Sequence, residues 1–257
     1  MKNTIKVLGI IAFVAVIGFS VAGCGGDDDD GGGGFVAVTD ITGLPTTATV
    51  GAAFTLAGTV EPANATNKTI TWYDTDARVS IPADQTPNLI ATWRLRATVK
   101  NGTADGTDYT QDFNITVNPG AAAANWTAPN GATALTAGTW KYEKVSEFSI
   151  TDPVADWYSF TVESGSTYWI WWDDAWAYAD TDKGEDILVS GYYADGKVIF
   201  SKIDKGWGNT VFFTAGEAGT VYLFAESVGV SFSGYATRDY SICYNTLATK
   251  PSGWNND

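Results

Sequence analysis

The sequence predicts an all-β protein built as two β-sandwiches in series. Thr, Val, Tyr, Trp and Phe dominate in runs of five to eight residues, broken by Gly, Asn, Asp and Pro. Apolar and polar residues alternate strictly in the best of these runs, and helical periodicity is weak throughout the mature chain. A Pro119-Gly120 pair followed by Ala121 to Ala124 divides the strand-rich region in two.

The chain opens with Lys2 and Lys6, an apolar run from Val7 to Phe19, and small residues before Cys24. A basic start, a short apolar core and a small-residue cut site describe a secretory signal over residues 1–23. The run is too short and Gly-interrupted for a membrane span. The four residues Val21-Ala22-Gly23-Cys24 resemble the lipobox of bacterial lipoproteins. That resemblance implies a diacylglycerol on the Cys24 thiol and cleavage before it. Each buried methylene contributes about 0.8 kcal/mol, and a stable anchor needs two chains.

Residues 24–34 form a tether: Gly25-Gly26, Asp27 to Asp30, then Gly31 to Gly34. It holds no apolar surface to bury and is expected to be disordered. The aspartates also resemble the acidic export tags of surface-displayed lipoproteins. The expected location is therefore the bacterial cell envelope, at the outer-membrane surface, with a plain periplasmic tether as the alternative.

Composition narrows the chemistry. The chain carries 29 acidic and 15 basic residues, a net charge of −14. Nucleic acid is not an expected partner, because binding it requires phosphate neutralisation. With no histidine, Ser-His-Asp and Cys-His nucleophiles and His-ligated zinc are excluded. Of two cysteines, Cys24 is committed to lipid, which leaves Cys243 as a buried strand thiol between Ile242 and Tyr244.

Residues 35–118 form the first predicted sandwich. Trp93, Leu95, Ala97 and Val99 face one side and Arg94, Arg96 and Thr98 the other; Phe113, Ile115 and Val117 repeat the pattern. Val50-Gly51, Phe54-Thr55-Leu56, Val60-Glu61-Pro62, Asn67 to Trp72 and Asp112 to Val117 resemble bacterial immunoglobulin-like domains of intimin- and invasin-type adhesins. The resemblance implies an Ig-like spacer. Tyr73 to Asn88 departs from the family's Gly-rich middle, which leaves the central strands open.

Residues 119–124 read as a linker, residues 125–249 as the second sandwich and residues 250–257 as a tail. Eight strands are expected: Thr139–Val145, Trp157–Val162, Thr167–Trp172, Ile187–Tyr193, Val198–Lys202, Thr210–Thr214, Thr220–Glu226 and Tyr240–Asn245. Asp195-Gly196 is a hairpin signal. Eight antiparallel strands suggest a jelly roll. Asp156 to Val162, Gly165 with Thr167-Tyr168, Asp186 to Val189, Tyr193 to Gly196, Phe213 to Ala215, Ala218 to Leu223 and Tyr240-Ser241-Ile242 resemble the pre-peptidase C-terminal domain. That family accompanies secreted enzymes and includes polymer binders, without catalysing anything itself. No protease domain precedes the sandwich here.

Nine of the eleven tryptophans follow residue 120. In Tyr168 to Trp172, alternation sends Trp169 and Trp171 to the face opposite Trp172, so both faces cannot join one core. Trp157, Trp169, Trp171, Trp172, Trp176 and Tyr178 are the candidate ligand-binding aromatics, for polysaccharide or protein; burial under the loop from Asp173 to Gly184 is the competing reading. Asp173, Asp174, Asp180, Asp182 and Asp186 are candidate oxygen ligands for calcium, although the spacing matches no EF-hand and a solvated acidic loop is the default. No enzymatic activity is expected. The functional expectation is a tethered binding or adhesion sandwich on an Ig-like spacer; the alternative is a structural or accessory subunit docking another envelope protein.

Overall fold

A computed structural model describes residues 34–146, 155–173, 186–203, 210–228 and 237–252. Cys24 and its tether, and the loop carrying Trp176, Tyr178, Asp174, Asp180 and Asp182, lie outside these residues. The described residues are all-β, and no helix among them is long and apolar enough to cross a membrane.

The first sandwich contains β1 (Asp40–Thr42), β2 (Thr47–Thr49), β3 (Phe54–Thr55), β4 (Thr59–Glu61), β5 (Ile70–Asp74), β6 (Val79–Ile81), β7 (Asp84–Gln85), β8 (Thr92–Ala104) and β9 (Thr107–Asn118). Its main sheet has the order β2-β9-β8-β5-β6, flanked by the pairs β1-β4 and β3-β7. The alternation in β8 works as the sequence predicts. Leu95, Ala97 and Val99 are buried, together with Ile115 and Val117 of β9. Trp72 packs edge-on against Phe113 at 5.9 Å. On the wet face Arg96 donates to both oxygens of Asp112, its cross-strand partner, at 2.6 and 3.0 Å. The hydrogen bonds of this pair hold the Asp112 carboxyl below its ordinary range and push the Arg96 guanidinium up. The short strands β6 and β7 fill the stretch from Tyr73 to Asn88 that the sequence leaves open.

The second sandwich contains β10 (Thr133–Ala134), β11 (Lys141–Ser146), β12 (Ala155–Val162), β13 (Thr167–Asp173), β14 (Asp186–Tyr193), β15 (Val198–Ile203), β16 (Thr210–Thr214), β17 (Gly219–Val228) and β18 (Thr237–Asn245). All eight expected strands are present as β11 to β18. They divide into a five-stranded sheet, β10-β12-β17-β14-β15, and a four-stranded sheet, β11-β18-β13-β16. From β11 to β18 this is jelly-roll connectivity: the first, third, sixth and eighth strands share one sheet and the others the second. Tyr158, Phe160, Val189, Val221 and Leu223 meet Tyr168, Ile170, Trp172, Phe213 and Ile242 in the core.

A buried polar chain ties the two sheets together. The Tyr240 hydroxyl on β18 donates to Asp156 Oδ2 on β12 at 2.7 Å. Its single proton is thereby used, so the Tyr158 hydroxyl on β12 must donate to the Tyr240 oxygen. Burial raises both phenols above their ordinary value.

From Phe35 on, the chain packs as one unit. The edge strand β15 is covered by the first sandwich. Ile90 N–H donates to Ile199 O and Ser201 N–H to Asn88 O, each at 2.9 Å, and Gly120 and Val198 exchange two bonds of 2.8 and 2.9 Å. Leu89, Ile90 and Val50 share one apolar cluster with Ile199 and Phe200. Gly120, in the segment expected as a linker, is thus a bridged strand position.

Candidate functional site

Of the six sequence-predicted aromatics, four are described, and the structure separates them. Trp172 points into the core, is 4% exposed and donates its Nε1–H to Ile187 O at 3.0 Å. It is corrected from a surface residue to a core residue that links the sheets. Trp171 does point to the outer face of the four-stranded sheet, yet it is only 3% exposed. It packs with Trp140 and Cys243. Trp140 closes over it and is held by the C-terminal segment: its Nε1–H donates to Pro251 O at 3.1 Å, and the Lys250 ammonium lies 5.4 Å from its ring centroid. Thus the sequence reading of Trp171 as an exposed ring is also corrected. What covers it is Trp140 with the chain's own end. Within this cluster burial pushes the Cys243 thiol up to about 11.

Trp157 lies on the outer face of the five-stranded sheet, half-buried. It contacts Phe224 at 4.6 Å, Tyr192 at 5.8 Å and Trp126 at 5.9 Å. Trp126 stacks on Tyr192 at 5.0 Å and donates to Ala194 O at 3.1 Å. A Cβ at Gly196 would stand 2.3 Å from the Trp126 ring, so that hairpin glycine admits the tryptophan. These rings spend their faces on one another and hold the start of the second sandwich to its sheet.

Trp169 is half-buried and packs against the Trp140–Trp171–Cys243 cluster. It stands on β13 opposite Phe212 of β16 and Asn245 of β18, in one row across three strands. Trp169 and Phe212 are near-parallel, 29° apart at a centroid distance of 6.1 Å. Phe212 is 55% exposed. The other exposed large hydrophobics among the described residues are Phe35, Val79, Tyr142 and Leu247. Sequence reasoning missed Phe212, although the alternation in Val211-Phe212-Phe213 signals it: Phe213 enters the core, so Phe212 must face out.

Of the calcium candidates, Asp174, Asp180 and Asp182 lie outside the described residues. Asp173 and Asp186 end β13 and begin β14. Among the described residues no acidic cluster is arranged to hold a metal.

The fold defines a two-sandwich all-β chain. No protein-family model matches it. It is 42% identical over 84 residues to an "Ig-like virion protein" of Serratia phage KSP90, over 32% of this chain. The match spans 32%, about a third, of that relative's length. Among solved structures, it is similar to the pre-peptidase C-terminal domain of a collagenase from Bacillus anthracis. There the identity is 15%, the coverage 46% of this chain and 99% of that one, and the TM-score 0.34. A structure of carbohydrate-binding modules from the β-sandwich superfamily also matches. It shares 9% identity over 81% of this chain and 97% of that one, with a TM-score of 0.23.

Proposed function

We propose that this chain is a non-catalytic cell-envelope protein, anchored by lipid on Cys24, that displays a ligand-binding sandwich on an Ig-like spacer. One observation supports the binding role: Phe212, 55% exposed, lies beside the half-buried Trp169 on the outer face of the four-stranded sheet. Aromatic rings give large contact area with little side-chain entropy to lose.

Support for the spacer role comes from where the chain enters and leaves the first sandwich. Val38 N–H donates to Gly102 O at 2.7 Å, so entry lies at the β8–β9 turn. The joint at Gly120 lies beyond the other end of β9, a strand of 12 residues. At ~3.4 Å per residue the binding sandwich is held about 40 Å from the entry point. Support for the anchor is the lipobox sequence and the Gly/Asp composition of the segment that follows it.

The test is a polysaccharide pull-down and glycan array with the soluble chain from residue 25 on. Trp169→Ala and Phe212→Ala should each lose retention that wild type shows. Equal retention by both variants removes the assigned face.

A further inference from the structure

We infer that the ligand of the Trp169–Phe212 face is a neutral polysaccharide, gripped on the flat side of its sugar rings and selected by the Asn245 amide. This rests on the binding role proposed above and goes beyond it to the ligand's chemistry.

The first ground is charge. The row Phe212–Trp169–Asn245 and the positions on either side of it, Thr167, Trp171, Thr210, Thr214 and Cys243, hold no Asp, Glu, Lys or Arg; farther along the same face the register carries Asp173 on β13, across from Ser241, and the Lys144–Asp239 pair of β11 and β18. A polyanionic glycan would meet a net charge of −14 with no cation in this row to receive it. A neutral chain meets no such barrier.

The second ground is ring chemistry. One face of a pyranose with equatorial substituents presents only C–H groups. Those hydrogens suit the negative faces of aromatic rings, and near-parallel rings on adjacent strands offer them two neighbouring contacts. The sugar's hydroxyls then lie at its rim, where a polar partner must sit. Asn245 fills that place in the same row, directly across from Trp169. Its Oδ1 accepts from Thr246 N–H at 2.8 Å, which leaves the NH2 end as the donor. The hydroxyls of the flanking threonines are already engaged. Thr167 and Thr214 share a bond of 3.0 Å, and Thr210 donates to Ile170 O at 3.1 Å. The row therefore holds two stacking rings and one amide.

The experiment uses the soluble chain from residue 25 on, with cellulose, chitin and soluble β-glucan as neutral probes and alginate and polygalacturonate as acidic ones. The inference expects retention on at least one neutral probe, unchanged between low and high salt. Phe212→Ala and Trp169→Ala should each weaken it ~10-fold or more. Asn245→Ala should weaken it and change the ranking among neutral probes. Phe212 is exposed, so its truncation leaves the fold intact, checked by an unchanged melting temperature. Salt-sensitive retention on the acidic probes, lost in both aromatic variants, overturns the neutral ligand and keeps the binding face. Retention on no polysaccharide, with a protein ligand lost in the same variants, does likewise. Retention unchanged in both aromatic variants overturns this inference and the proposed face together.

Discussion

Gly120→Ala tests whether the two sandwiches are one rigid body. A Cβ there would stand 2.6 Å from Val50 O, a backbone atom of the first sandwich, and 3.1 Å from Val198 Cβ in the second. A carbonyl fixed beside β2 cannot rotate aside, so the methyl group must separate the two sides. Separation breaks the two Gly120–Val198 bonds of 2.8 and 2.9 Å. Each is worth about 1 kcal/mol net, and overpacking adds about 1–3 kcal/mol, for a total of about 3–5 kcal/mol. At about 2–4 °C per kcal/mol for a chain of this size, the first transition should fall by ~6–20 °C. Calorimetry should show one transition for wild type and two for the variant, because Ile90 and Ile199 lose register together. Double electron–electron resonance between labels on the two sandwiches should broaden in parallel. A variant within ~0.5 kcal/mol of wild type, still melting in one step, refutes the bridged joint.

Three further outcomes follow. Tyr240→Phe removes the group between Tyr158 and Asp156, leaves a buried hydroxyl unpartnered, and should cost about 1–3 kcal/mol in chemical denaturation. Alkaline pH should destabilise the protein. The thiol of Cys243 rises from an ordinary 9.0 to about 11 in the fold, and the Tyr158 and Tyr240 phenols are raised too, so above pH 9 the unfolded chain releases protons the folded chain keeps. The melting temperature should be flat with respect to these groups below that value and decline through the window from 9 to 11; an unchanged melting temperature across it contradicts the buried thiol. Cys24→Ala should move the exported protein from the membrane to the soluble fraction, and persistence in the membrane removes the lipid anchor.

Much of the fold is legible because alternation is a local signal. In β8, Leu95, Ala97 and Val99 announce their burial by spacing alone, and the eight strands of the second sandwich are bounded by Gly and Asp turns such as Asp195-Gly196. The same rule assigns Trp169 and Trp171 to one outer face. It cannot say which is covered, since that depends on Trp140 and Pro251, respectively 31 residues earlier and 80 later in the chain than Trp171. Trp172 is a surface candidate by composition alone; alternation puts it with Ile170, on the face that the structure buries. Nor does local composition reveal that Gly120 is a strand position, because its partner Val198 belongs to another sandwich.

The most direct measurement of the binding role is an isothermal titration of the wild-type chain and Phe212→Ala with the probe that wild type retains best. Saturable heat in wild type, reduced about tenfold in affinity or lost in the variant at unchanged melting temperature, is the result that exposed Phe212 beside Trp169 predicts. Identical isotherms would mean that the pair is surface without a partner.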